Sequence, residues 1–222
     1  KELEQFAYVA SHDLQEPLGT IMNFTGLLKE DYSEQLGGDG QTYINYITQA
    51  SARMSLLIKS LLDYSRIGRD HEMSQVDLNQ VLKDVLDDLT DLIQSSGARI
   101  TVSELPSAIN ASEVGLRLLF QNLISNAIKF TAPGESAKVT VSAERRPNEW
   151  CFYVQDEGIG IDQKDLHKVF AIFSRLNSHS KYAGTGIGLA NSRKVVELHG
   201  GLIGCESKAG QGSRFYFTIP MQ

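Results

Sequence analysis

The sequence predicts an α+β protein in two parts: an antiparallel helical hairpin that dimerises into a four-helix bundle, then an α/β sandwich. Three observations predict it. Apolar residues of the N-terminal third recur at alternating spacings of four and three. A short polar stretch follows. The remainder mixes helical apolar stripes with β-patterned runs separated by glycine-rich turns. At 222 residues the chain is long enough for one large domain or two modest ones.

Leu3, Ala7, Ala10, Leu14, Pro17, Ile21, Phe24 and Leu28 form the first seam. Leu36-Gly37-Gly38-Asp39-Gly40 interrupts the pattern, as glycine clusters do. Ile44, Ile47, Ser51, Met54, Ile58 and Leu61 form a second seam. A lone hairpin cannot enclose both stripes, and two hairpins can, so a homodimer is expected. The polar run from Ser65 to Ser74 reads as the linker, dividing the chain into residues 1–70 and 71–222. Beyond it, Val81, Val85, Leu89, Leu92 and Ile93 fit one amphipathic helix, and Leu116, Leu119, Phe120, Leu123, Ile124 and Ala127 another. Lys138–Ala143 and Trp150–Gln155 read as adjacent strands turning at Arg146-Pro147-Asn148-Glu149. Ile187–His199 reads as a helix stopped by Gly200-Gly201. Leu202–Glu206 and Ser213–Ile219 read as a closing hairpin, giving a sheet covered by helices.

Composition narrows the classes. With 41% hydrophobic and 22% charged residues the chain is an ordinary globular protein, and its net charge of -6 argues against a general nucleic-acid binder. Two cysteines, Cys151 and Cys205, without a CxxC pair point to a reducing compartment and small apolar roles. No apolar run is long enough to cross a bilayer. The first residues read as the middle of a helix, so the expectation is a piece of a longer cytoplasmic chain whose input domain or membrane anchor lies elsewhere.

His12 lies two residues from Ala10 and from Leu14, both on the seam. Each residue turns a helix by about 100°, so His12 points away from the bundle axis. That leaves a solvated surface histidine or a reactive one. Asp13 is adjacent and Glu16 is one turn on. A carboxylate can take a proton from one ring nitrogen, fixing the tautomer and leaving the other nitrogen free to attack. Pro17 removes a backbone donor just past the site. Helix-surface solubility also explains Asp13 and Glu16, so this segment alone decides nothing.

In the second part, Asp156-Glu157-Gly158-Ile159-Gly160-Ile161 follows a predicted strand. A buried aspartate can accept a hydrogen bond from an exocyclic amine such as adenine's, and glycines let backbone approach a flat base. A plain turn fits as well. Gly184-Thr185-Gly186-Ile187-Gly188-Leu189-Ala190 opens a helix, where free amides bind phosphate. A polar loop rather than a strand precedes it, so it is no dinucleotide fingerprint. Asn122 and Asn126 sit one turn apart on a helix, followed by Lys129 and Phe130. Amide oxygens there can ligate Mg2+ and Lys129 can meet phosphate. Taken alone, these four residues read as surface decoration.

Taken together and in order, the motifs resemble those of the sensor histidine kinases of two-component systems. Ser11-His12-Asp13-Leu14-Gln15-Glu16-Pro17-Leu18 resembles the phosphoacceptor box, and Asn122–Thr131 the asparagine box. Asp156–Ile161 and Gly184–Leu189 resemble the two glycine boxes, and Phe170-Ala171-Ile172-Phe173-Ser174-Arg175 the phenylalanine box. The run from Phe6 to Leu18 further resembles the phytochrome-type branch. The resemblance implies a dimerisation and phosphotransfer domain followed by an ATP-binding sandwich related to those of gyrase, the ninety-kilodalton heat-shock chaperone and MutL. It implies His12 as phosphoacceptor and Asp13 as its proton acceptor. Asn126, with Asn122, would hold Mg2+, and Asp156 would read adenine. Lys129, Phe130, Gly158, Gly160, Ile161, Thr185 and Leu189 would complete the ATP site. Phe170 through Tyr182 would form a lid carrying Arg175, with Gly184, Gly186 and Gly188 as hinge and phosphate-facing amides. The implied partner is a response-regulator receiver domain. Glu16 departs from the threonine or asparagine common at that position, which puts phosphatase activity in doubt. A nucleotide-responsive scaffold and a hydrolytic ATPase are the competing readings. The second leaves the His12 box unexplained and lacks a general-base glutamate at Asn122. His71, His167 and His199 carry no expected role.

Overall fold

The computed structural model describes residues 2–68, 72–174 and 184–221, and for residues 2–12 the backbone alone. The chain divides into two compact units, Lys1–Arg66 and Ile67–Gln222.

The first unit is a helical hairpin. Helix α1 (Glu2–Tyr32) runs unbroken through Pro17, and α2 (Gly37–Arg66) returns beside it. Each spans about 45 Å at the helical rise. The turn occupies residues 33–36 and is closed by the Gln35 and Leu36 amides donating to the Tyr32 carbonyl. The glycine cluster expected to be the break therefore lies inside the first turn of α2. Gly37 adopts φ 62°, which suits a residue leaving the turn. Gly40 lacks a Cβ where one would meet the Leu36 Cβ at 2.9 Å. A glycine in a helix's first turn forfeits no more hydrogen bonds than any other residue there, because those amides have no partner in the helix.

Within the hairpin, Leu18 and Thr25 of α1 and Ile44, Ser51, Ile58 and Ser65 of α2 are buried. The α2 set repeats every seven residues, the period of a coiled seam. Leu14, Ile21, Phe24, Leu28, Ile47 and Met54 are exposed, with Phe24 at 63%. The expected α1 seam is thus the outward one.

The polar linker is shorter than expected, since α2 extends through Ser65 and Arg66, and Ser74 already begins a strand. Strand β1 (Ser74–Val76) pairs antiparallel with β3 (Ile109–Ala111). The single helix expected over Val81–Ile93 is two, α3 (Leu78–Asp88) and α4 (Thr90–Ser96), broken at Leu89 (φ -93°, ψ 8°). The main sheet has the order β2-β4-β5-β7-β6, with β2 (Arg99–Val102), β4 (Lys138–Arg145), β5 (Glu149–Asp156), β6 (Ile203–Ser207) and β7 (Ser213–Pro220). Only the β2–β4 pairing is parallel. Helices α5 (Glu113–Lys129) and α6 (Gly188–Leu198) cover one face. The strands alternate accordingly: Val139 and Val141, Phe152 and Val154, Phe215 and Phe217 point into the core. Phe120 of α5 meets Phe217 edge-on at 5.5 Å, and Phe217 stacks on Phe152 at 4.9 Å.

His199, expected to have no partner, closes the helical layer. Its ring is buried, Nδ1 donates to the Val195 carbonyl at 2.8 Å, and Nε2 accepts from the Ser112 amide at 2.9 Å. These two partners select the Nδ1–H tautomer. Ser112 in turn caps α5, its hydroxyl accepting from the Gly115 amide. Cys151 is fully buried and Cys205 half-buried; burial, aided by the Asp156 and Glu206 carboxylates, pushes the Cys205 thiol up to about 12.

Candidate functional site

Where the C-terminal end of α5 meets the N-terminal end of α6, the second unit encloses a cavity of about 270 Å³. Helix α5 supplies Asn122, Asn126 and Lys129, with Phe130 at its C-cap. The asparagines and Lys129 face the same side because they recur at spacings of four and three. Lys129 Nζ lies 4.6 Å from the Phe130 ring centroid. The opposite wall is the end of the sheet: Asp156 closes β5, followed by Ile159, Gly160 and Ile161, with Ser213 and Phe215 from β7. Gly184, Thr185, Gly186, Gly188 and Leu189 form the third wall, and Val169 and Ser174 the rim.

Asp156 is 7% exposed. Its Oδ1 accepts from the Gly158 amide at 2.8 Å and the Ser213 amide at 3.1 Å, while Oδ2 takes no hydrogen bond from the described residues. Burial raises the carboxyl above its ordinary value, and the two amide bonds hold part of that rise back. An acceptor so placed can read one amine hydrogen of a flat heterocycle. The loop after it tolerates no side chain at either of its glycines. A Cβ on Gly158 would lie 2.4 Å from the Phe130 carbonyl oxygen, and one on Gly160, at φ 64°, 2.0 Å from the Lys208 oxygen. Gly158 therefore shapes the wall from behind and does not line the cavity.

Helix α6 begins at Gly188 with no side-chain cap, so its first amides are open to an anion. The cavity thus pairs an apolar slot (Ile159, Ile161, Val169, Leu189, Phe215) with polar groups on facing walls, as small-molecule pockets do. Among the described residues there is no cluster of three or more His, Cys, Asp or Glu that could hold a metal ion.

Of the expected site residues, Asn122, Asn126, Lys129, Phe130, Asp156, Gly160, Ile161, Gly184, Thr185, Gly186, Gly188 and Leu189 converge on this one cavity. Arg175 lies outside the described residues, as do His71 and the lid segment to Tyr182. His12 lies on α1, its side chain outside the described residues, and Asp13 is exposed on the same helix. Val169, Ser213 and Phe215 were not anticipated, and Ile159 and Ser174 lie in quoted motifs without having been named as site residues. The alternation of β7 marks Ser213 and Phe215 as inward-facing, but only the closed sheet puts them beside Asp156. Phe170 seats on the wall through an edge-on contact with Phe215 at 6.3 Å.

No helix among the described residues is long and apolar enough to cross a membrane. The model of the histidine kinase-, DNA gyrase B- and HSP90-like ATPases matches residues 111–222, and that of the His kinase A (phospho-acceptor) domain residues 2–70. The chain is 41% identical over 221 residues to phytochrome-like protein Cph1 of Synechocystis sp., covering 99% of this chain and 29% of that protein. It is 42% identical to cyanobacterial phytochrome A of Nostoc sp., with the same coverage. The crystal structure of full-length ShkA in complex with AMPPNP matches with TM-score 0.71 at 25% identity, over 98% of this chain and 46% of that one. The chain therefore spans less than a third of the length of these phytochrome relatives. A phospho-acceptor domain followed by an ATPase domain of this kind, over nearly the whole length, means that the chain belongs to the sensor histidine kinase family.

Proposed function

We propose that this chain is a cytoplasmic histidine kinase core of the phytochrome-type branch that binds ATP in the second unit, phosphorylates His12, and passes the phosphoryl group to an aspartate of a response-regulator receiver domain. The observation that carries the reading is the convergence of the asparagine pair, Lys129, Asp156 and an uncapped helix N-terminus on a single cavity. Residues 1–70 then act as the dimerisation and phosphotransfer domain and residues 71–222 as the ATP-binding domain. The exposed apolar seam of the hairpin supports a homodimer, since a second copy would cover it.

In this reading the adenine amine donates to Asp156 Oδ2 while the base lies against the apolar slot. The phosphates run toward the α6 amides and Lys129, with Arg175 approaching from the lid. Asn126 with Asn122 would hold Mg2+. Two amide oxygens would suit a cation that keeps most of its waters. When bound, Mg2+ would supply charge neutralisation to the phosphates. A neutral His12 nitrogen attacks the γ-phosphorus in line, the N–P bond forms, the bond to the bridging oxygen breaks, and ADP leaves. The proton on the other ring nitrogen passes to the Asp13 carboxylate. Nucleophile and nucleotide belong to separate units, so transfer requires the two to approach. Asparagine at position 122 is a poor general base, which favours His12 over water as acceptor.

The test is incubation with Mg2+ and γ-labelled ATP beside His12→Ala, scoring acid-labile, base-stable label on the protein. Label on the wild type that vanishes in the variant is expected. Label that survives moves the acceptor elsewhere, phosphate released to solution supports an ATPase, and ATP binding without label supports a scaffold.

A further inference from the structure

We propose that Asn191 is a positioning residue that accepts the Asn122 amide across the α5–α6 interface and so keeps the Asn122 oxygen turned toward the cation and phosphates. The inference rests on the reading of Asn122 given above.

Helices α5 and α6 run antiparallel. At one end a Cβ on Gly188 would lie 3.1 Å from Asn122 Oδ1; at the other, His199 Nε2 accepts from the Ser112 amide at 2.9 Å. Asn191 lies three residues beyond Gly188, so it shares the face of α6 that meets α5. Side chains on a helix lean toward its N-terminus. That of Asn122 therefore leans back along α5 toward Ser112, and that of Asn191 leans back along α6 toward Gly188, so the two amides converge.

Both amides are incomplete. Asn191 is 8% exposed and its Oδ1 has no hydrogen-bond partner. Asn122 Nδ2 is buried and has none either. Among the described residues these are the only two buried side-chain nitrogen or oxygen atoms without a partner, and one is a donor and the other an acceptor. Buried polar groups are almost always paired. Joining these two would satisfy both. The join also decides chemistry. A carboxamide that turns over presents its NH2 group, which cannot ligate a cation. With Nδ2 committed to Asn191, Oδ1 is the atom left for the cavity. Partners of this kind orient metal ligands at many sites.

The experiment titrates Mg2+ on the full chain, reading binding of a fluorescent ATP analogue and, separately, autophosphorylation. Asn191→Leu keeps the branched shape and removes the acceptor. It should raise the Mg2+ needed for half-saturation roughly tenfold, with analogue binding in EDTA unchanged. Asn122→Ala should raise it too, and adding Asn191→Leu to that background should do nothing more, because the two act through one bond. A wild-type Mg2+ requirement in Asn191→Leu beside a raised one in Asn122→Ala overturns the inference and leaves the Mg2+ reading standing. No effect of Asn122→Ala overturns both. Equal weakening with and without Mg2+, or additive effects, marks Asn191 as merely structural and overturns the inference. If the leucine variant does not fold, Asn191→Ala, which adds no volume, is read on the same titrations with the same outcomes.

Discussion

The two units meet the same requirement, removing apolar surface from water, to different degrees. The α/β unit closes its core: Phe120, Phe152 and Phe217 are fully buried and in ring contact, and Leu116, Leu119 and Ile124 pack around them. In the hairpin, the seam between the helices carries three hydroxyl residues, Thr25, Ser51 and Ser65, while Leu14, Ile21, Phe24, Leu28, Ile47 and Met54 face outward. Small residues let the helices approach closely but bury little apolar area, which contributes about 25 cal/mol per Å². The contrast teaches that one unit buries its apolar surface within a single chain, while the other leaves apolar surface exposed that the proposed dimer would cover.

The largest expected effect tests the closed side. Phe217→Ala should cost about 3–5 kcal/mol in the α/β unit by opening a cavity between α5 and the sheet. Trp150, the only tryptophan, sits in β5 within 6.5 Å of the Phe152 ring and reports unfolding of that unit alone. Denaturant titration followed by its fluorescence should show the loss while sedimentation still finds a dimer. A dimer lost in the same variant would break the comparison. Next comes the open side. Phe24→Glu should weaken the dimer roughly 100-fold, since pairing would bury two unmatched carboxylates, with the Trp150 transition unmoved. An unchanged association constant would mean that the seam does not carry the dimer.

The same contrast explains what the sequence made legible. A sustained seven-residue period survives any local irregularity, so the hairpin could be read. Which seam faced inward could not, because seams of an isolated helix look alike until their partner is known. The glycines at 37–40 read as a break because propensity is blind to position within a turn. Strands β1, β2 and β3 escaped notice because three or four residues are too few to display alternation. The nucleotide-type cavity was legible wherever a contiguous motif lines it. Ser213 and Phe215 were not, because sheet closure brings them to the site, and His199 needed Ser112, 87 residues away, to acquire its role.

The smallest expected effect sits at Asp156, where the closed unit gives up stability for the site. Its carboxyl is raised above its ordinary value, chiefly by burial. A raised folded-state value means that the group's contribution is fully present below the unfolded-state value and is lost as pH rises through the raised one. Ionising the group in the folded state therefore leaves a buried charge offset only in part by the Gly158 and Ser213 amides. Asp156→Asn keeps an acceptor for both amides and carries no charge. Its melting temperature should match the wild type in acid and exceed it by a few degrees at neutral pH, the gap opening as pH rises from the ordinary carboxylate range. ATP should bind roughly 30-fold more weakly, because the amide turns its NH2 toward the adenine amine and leaves both donors unpaired. A variant less stable than the wild type at neutral pH would mean that the two amide bonds outweigh the desolvation, making Asp156 a structural clasp of the β5–β7 edge before it is a reader of the base.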